Sequence, residues 1–187
     1  MEISKKDINH TKINQAALDF KKGDIQSFNY LFSYFKKAIY RFCLRILDDE
    51  AVAQDAFQET FIRVYERIST FNGGNFESWL FITARNTCIN FIRKRKNTQA
   101  ITELDYGFAP KKYLKIGMKE YIELQLAKLP LSLREAVVLR DMEDFSYKEI
   151  AEILDIDLSL AKVRVHRARL KLKETLEPLM RELNETA

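Results

Sequence analysis

The chain has 187 residues, 31% charged and 47% apolar, which excludes a disordered polar segment and fits one or two globular domains. Five Gly and three Pro are too few for many-turned sheets, so the composition points to an all-α protein. The formal net charge of +4 conceals clustering: two basic runs carry no acid and acidic residues fill the segments between, which is the footprint of a nucleic-acid partner. Cys43 and Cys88 sit in apolar sequence with no CxxC and only His10 and His166 nearby in kind, so they read as buried thiols rather than metal ligands. No cofactor is indicated. With no Gly-rich phosphate loop and no pairing of nucleophile and base, the chain does not read as an enzyme and offers no catalytic residue. The N-terminal MEISKKDINHTK lacks an apolar signal core, and no run approaches the roughly 18 apolar residues of a membrane span. The expectation is a cytoplasmic protein without direct membrane insertion.

In chain order, Ile13, Ala16, Ala17 and Phe20 predict a short helix ending at Lys22, before Gly23. Asp24 is placed to cap a long helix over Ile25–Leu47, whose wide apolar face needs partners. Asp48 and Asp49 place negative charge at the start of a third helix, where its dipole favours it. Ala53, Phe57, Phe61, Val64 and Ile68 form the inner stripe of that helix, and Asp55, Gln58, Glu59, Arg63 and Glu66 its outer face. The loop STFNGGN then breaks the pattern and leaves Phe71 as a large apolar residue in a flexible segment.

Asn75 is a suitable N-cap for a helix over residues 76–96, FESWLFITARNTCINFIRKRK. Phe76, Trp79 and Phe81 near its start, followed by Arg85, Arg93, Lys94, Arg95 and Lys96, suit a single strand of DNA, whose bases stack on aromatics while cations track phosphates. The competing reading is a core helix with a solvated basic end. Periodicity fades over residues 97–119, punctuated by Gly107, Pro110 and Gly117, which reads as a flexible interdomain linker.

Beyond it, Tyr121–Leu129 is apolar-periodic and Pro130 ends it. Ser132 with Glu135 and Ser146 with Glu149 have capping-box spacing, predicting helices over Leu133–Met142 and Tyr147–Leu154. Asp157 is placed to cap a long last helix, leaving Asp155 and Ile156 as a tight turn, which is a helix-turn-helix pattern in a four-helix domain. On the last helix Leu158, Ala161, Val165, Ala168 and Leu172 form the predicted core stripe. The opposite face carries Ser159, Val163, His166 and Arg167, flanked by Lys162 on one side and by Leu160 and Arg164 on the other. Lys162, His166 and Arg167 suit base edges in a major groove, Val163 a thymine methyl, and Arg164 and Arg169 phosphates. Two small helical domains follow, residues 10–96 and 120–180, joined by the 97–119 linker.

In these motifs and their order, the chain resembles the sigma-70 family of bacterial RNA polymerase sigma factors, in its extracytoplasmic-function (ECF) group, over about Ile13 to Leu179. The segment DEAVAQDAFQETFIRVYERI resembles region 2.2, which docks on the polymerase β′ subunit, a role that falls to Asp55, Gln58 and Glu59. FESWLFITARNTCINFIRKRK resembles the promoter-melting and minus-ten segments, and residues 129–172 resemble the minus-thirty-five domain. The resemblance implies that Phe71 and Asn86 enclose a flipped minus-ten base, with Trp79, Arg85, Arg93 and Arg95 on the same DNA. It also implies promoter DNA, core RNA polymerase (β and β′ subunits) and an anti-sigma factor as partners. Where the family has Gly in the turn this chain has Asp155, which tolerates left-handed geometry. Leu160 and Val163 replace the usual Thr and Ser, which changes the upstream contacts. The alternative reading is a helix-turn-helix regulator with a ligand- or phosphate-sensing helical domain, which would have no use for the basic aromatic helix.

Overall fold

The computed structural model describes residues 5–99 and 117–185, with side chains at 10–95, 117–118 and 120–177. Most of the 97–119 linker, and the side chain of Lys96, lie outside the described residues. The described chain is helical throughout, without strands, and divides into two compact units at the Phe91–Ile92 junction.

The first unit contains α1 (Lys5–Lys21), α2 (Ile25–Leu47), α3 (Glu50–Arg67), a 3-10 turn (Ile68–Thr70) and most of α4 (Phe76–Gln99). Local chemistry sets its helix ends. Asp24 accepts from the Gln26 and Ser27 N–H groups, which starts α2 as expected. Asp48 does not open α3: it closes α2 in the left-handed region (φ 52) with its N–H on the Leu44 carbonyl. Asp49 alone is the N-cap of α3, accepting from the Val52 N–H at 3.1 Å. Two adjacent acids thus serve two different helices, because only extended backbone lets a cap side chain turn back on its helix.

Leu31, Phe35, Ile39 and Phe42 of α2 are fully buried, packing on α1, α3 and α4. Phe42 meets Phe81 of α4 edge-on at 5.3 Å, and Phe35 meets Phe76 at 6.0 Å. Each such side chain contributes about 1.5–3 kcal/mol by leaving water. Cys43 and Cys88 are buried thiols, neither of them in a disulfide.

The second unit comprises α5 (Met118–Lys128), α6 (Leu131–Val137), a π-helical turn (Val138–Met142), α7 (Tyr147–Leu154) and α8 (Leu158–Glu185). The Ser132 capping box does not form. The Pro130 carbonyl accepts from the Leu133 and Arg134 N–H groups, so α6 begins at Leu131, Ser132 falls inside the first turn, and Glu135 is buried. The Ser146–Glu149 box does form, with both reciprocal bonds, at 2.8 and 3.3 Å. Asp155 takes the left-handed turn conformation (φ 53, ψ 55), and Asp157 caps α8 by accepting from the Leu160 N–H at 2.8 Å. Ala161, Val165 and Ala168 of α8 are fully buried against α6 and α7. Leu172 is only half-buried, and Leu158 is 45% exposed, lying at the turn in a shallow depression with Ala151 and Asp155.

Candidate nucleic-acid and polymerase interfaces

On α3, Asp55 and Gln58 are exposed, and Glu59 is half-buried with one carboxylate oxygen accepting from Arg63 Nε at 2.8 Å. Gln58 stands on the rim of a groove of about 650 Å³ between α2 and α3, floored by Phe28, Phe32, Phe57 and Phe61. Ile62 and Tyr65 line it while remaining half exposed, at 52% and 50%. The rings interlock, Phe32 on Phe61 at 4.8 Å and Phe28 on Tyr65 at 5.4 Å. An aromatic floor with a rim of Gln54, Gln58 and Glu66 has the composition of a protein-docking surface. Sequence reading missed this groove; its signal was Ile62 and Tyr65, apolar positions off the inner stripe.

The loop before α4 differs from expectation. Phe71 is 2% exposed, its ring against Phe76 at 5.6 Å and Trp79 at 5.7 Å. It is a core residue in this conformation rather than a free aromatic on a flexible loop. Phe76 and Phe81 are likewise buried at 1%, facing α2, so neither offers a face to a base. Trp79 is half-buried and remains the partly accessible aromatic of the cluster. Asn75 caps α4, accepting from the Ser78 N–H at 3.2 Å. Trp79, Thr83, Asn86 and Asn90 recur at three- and four-residue steps and therefore share one face of α4. Asn86 is exposed and the others half-buried; Thr83 and Asn90 join this face unforeseen, although their spacing was readable. Arg85 is half-buried, and Arg93 and Arg95 are exposed further along the helix.

On α8, Ser159, Lys162, Val163, His166 and Arg167 are exposed and Arg164 is half-buried. The fully buried Ala161, Val165 and Ala168 turn this face outward. Arg167 also borders a shallow groove with Pro130, Ser132 and Leu133. Arg169, expected on phosphate, is engaged within the unit. Its guanidinium donates twice to Asp141 of the π-helical turn, and that bond raises its already high pKa. Next to it Arg140 donates to the Phe145 carbonyl at 2.7 Å and lies 5.0 Å over the Tyr147 ring.

Both units match known families in the same order. Residues 31–98 match sigma-70 region 2, and residues 119–172 match sigma-70 region 4. The chain is 33% identical over 175 residues to the ECF RNA polymerase sigma factor SigW of Bacillus subtilis, covering 85% of this chain and 94% of the relative. It is 30% identical over 148 residues to SigM of the same organism, covering 76% and 91%. The fold resembles the sigma factor RpoE of Bartonella quintana, solved in complex with the anti-sigma factor NepR, with TM-score 0.71 and 25% identity over 81% of this chain and 98% of that one. CnrH, solved in complex with the cytosolic domain of CnrY, shares the fold at TM-score 0.71, 21% identity and 89% and 98% coverage.

The chain therefore belongs to the sigma-70 family of RNA polymerase sigma factors, in its extracytoplasmic-function group of alternative sigma factors that direct the polymerase to particular promoters. A sensing-domain regulator is not favoured, because the first unit is itself a region 2 match. Among the described residues, no helix is long and apolar enough to cross a membrane.

Proposed function

We propose that the two units divide promoter recognition as follows. Residues 10–96 hold core polymerase and the opened minus-ten strand, and residues 120–180 bind the upstream duplex. The outer face of α3, with Asp55, Gln58 and Glu59, docks on β′, and the adjoining aromatic groove deepens that contact. Phe71 and Asn86 receive one unpaired minus-ten base, helped by Trp79 and by the cations Arg85, Arg93 and Arg95. Because Phe71 is buried at rest, its ring has to leave Phe76 and Trp79 to stack on a base. Ser159, Lys162, Val163, Arg164, His166 and Arg167 lie in the major groove of the minus-thirty-five element. The chain works in the cytoplasm without catalysis of its own, and an anti-sigma protein holds it inactive, a reading supported by its likeness to RpoE, which was solved in complex with an anti-sigma factor.

The observation that carries this reading is α8, where the stretch from Leu158 to Lys173 bears six cations and no acid while three fully buried residues fix which face looks outward. The test is transcription in vitro by core polymerase and this chain on a library of duplex promoters, with transcript 5′ ends sequenced. Discrete starts downstream of a shared two-part element support the reading, and starts no different from core polymerase alone refute it.

A further inference from the structure

α1 lies outside the residues matched to region 2, yet it grips the loop before α4 at both ends. Lys21 Nζ donates to the Phe71 carbonyl at 2.6 Å. Seven residues earlier on the same helix, Asn14 Oδ1 accepts the Phe76 N–H at 2.9 Å. That N–H belongs to the first residue of α4 and has no partner within its own helix. His10 stands 3.9 Å from Glu77, one helical turn further along α1. Phe71 is fixed from the other side too, its N–H donating to the Ile68 carbonyl at 3.0 Å. Between the two grips hang Asn72, Gly73 and Gly74, all exposed, the glycines at φ +87 and +90 with open space around them. Any side chain at those two positions would strain the backbone.

We infer that α1 belongs to the strand-capture machinery, with Asn14 and Lys21 as positioning residues that pin the ends of the Phe71–Phe76 loop so that an incoming unpaired base meets a set pocket. The inference rests on the assignment of Phe71 and Asn86 to that base. Pinning removes backbone freedom that binding would otherwise have to remove. What remains for the base to displace is the Phe71 ring and the three-residue span above it. Lys21 acts through a carbonyl, so its charge is not counted among the phosphate contacts.

The test uses holoenzyme reconstituted from core polymerase and the full chain, with a single-stranded minus-ten oligonucleotide intact or carrying an abasic site at each position in turn. One abasic position is expected to weaken the parent about ten-fold, the worth of one stacked base. Lys21→Met and Asn14→Ala should bind the intact strand about ten-fold more weakly and lose little further at that abasic position. The salt slope for Lys21→Met should equal the parent's, whereas a lost phosphate contact would lower it by about 0.7. Lys21→Arg keeps a donor and Asn14→Asp an acceptor, and both should behave as the parent.

If no abasic position weakens the parent, the base-capture reading itself falls. A parent penalty with parent-like binding by Lys21→Met and Asn14→Ala overturns the role of α1 alone. So does an equal loss on intact and abasic strands, a lowered salt slope, or failure of the two conservative variants.

Discussion

Arg169 Nε donates to Asp141 Oδ2 at 3.0 Å and a terminal guanidinium nitrogen to Oδ1 at 2.5 Å, tying the recognition helix to the π-helical turn 28 residues earlier. A cation so neutralised counts little against phosphate, although on a helical wheel it belongs with the phosphate-facing set. Arg169→Ala should therefore leave the salt slope of duplex binding unchanged and cost under about 1 kcal/mol of stability, since the pair is half exposed. Arg164→Ala should lower the slope by about one, and Arg167→Ala should cost about 1–3 kcal/mol at one base position only. Salt titrations on matched and scrambled duplexes check all three. A slope lowered by Arg169→Ala would return that residue to the phosphate contacts.

Docking on polymerase should depend on the groove between α2 and α3 as well as on the outer face of α3. Ile62→Asp places a charge on the half-exposed wall of the aromatic groove, and Glu59→Lys reverses a charge on the outer face of α3 and breaks its pair with Arg63. Each should weaken core binding about ten-fold or more, the scale of a residue central to an interface. Unfolding temperature should barely move. Parent-like affinity of Ile62→Asp in a core-binding titration would take the groove out of the interface.

The burial of Phe71 decides which substitution tests its role. Phe71→Ala would empty a filled core and cost about 3–5 kcal/mol, confounding folding with function. Phe71→Leu keeps an apolar side chain of similar bulk at under about 1.5 kcal/mol. It should retain core binding and upstream duplex binding but lose affinity for single-stranded minus-ten DNA. A heteroduplex already unpaired there should recover part of its activity. Parent-like binding to that single strand would leave Phe71 a core residue only.

One pH dependence has a definite sign. The Ser27 hydroxyl at 2.6 Å, with the Gln26 and Ser27 N–H groups, holds the Asp24 carboxyl below its ordinary 3.8. A depressed carboxylate adds stability above its unfolded pKa and loses it as pH falls through the folded value. Asp24→Asn keeps the cap without titrating. The gap in unfolding temperature between parent and Asp24→Asn should shrink as pH drops below 3.8, and a constant gap would deny the linkage.

Chemistry that closes within a few residues was legible in the chain. Asp24, Asn75, the Ser146–Glu149 box, Asp155 and Asp157 all do what their spacing implies, since cap and capped groups are sequence neighbours. Local spacing misled where two local rules competed, as at Asp48 and Asp49, or where Pro130 started α6 ahead of Ser132. Most of the site depends on longer reach. Phe71 is held by a lysine 50 residues away, Arg169 by an acid 28 residues away, and the aromatic groove exists only once α2 and α3 pack. The outward face of α8 was readable because three small buried residues recur at helical spacing, whereas Phe76 and Phe81 are apolar whether they serve core or base.

The measurement that tests the account most directly is permanganate reactivity of thymines on a fully paired promoter chosen from the transcription library. Core polymerase with this chain should make thymines in the minus-ten element reactive, and neither component alone should do so. Binding of this chain to the upstream duplex with no reactive thymine in the presence of core polymerase would contradict the account and mark a duplex-binding regulator instead.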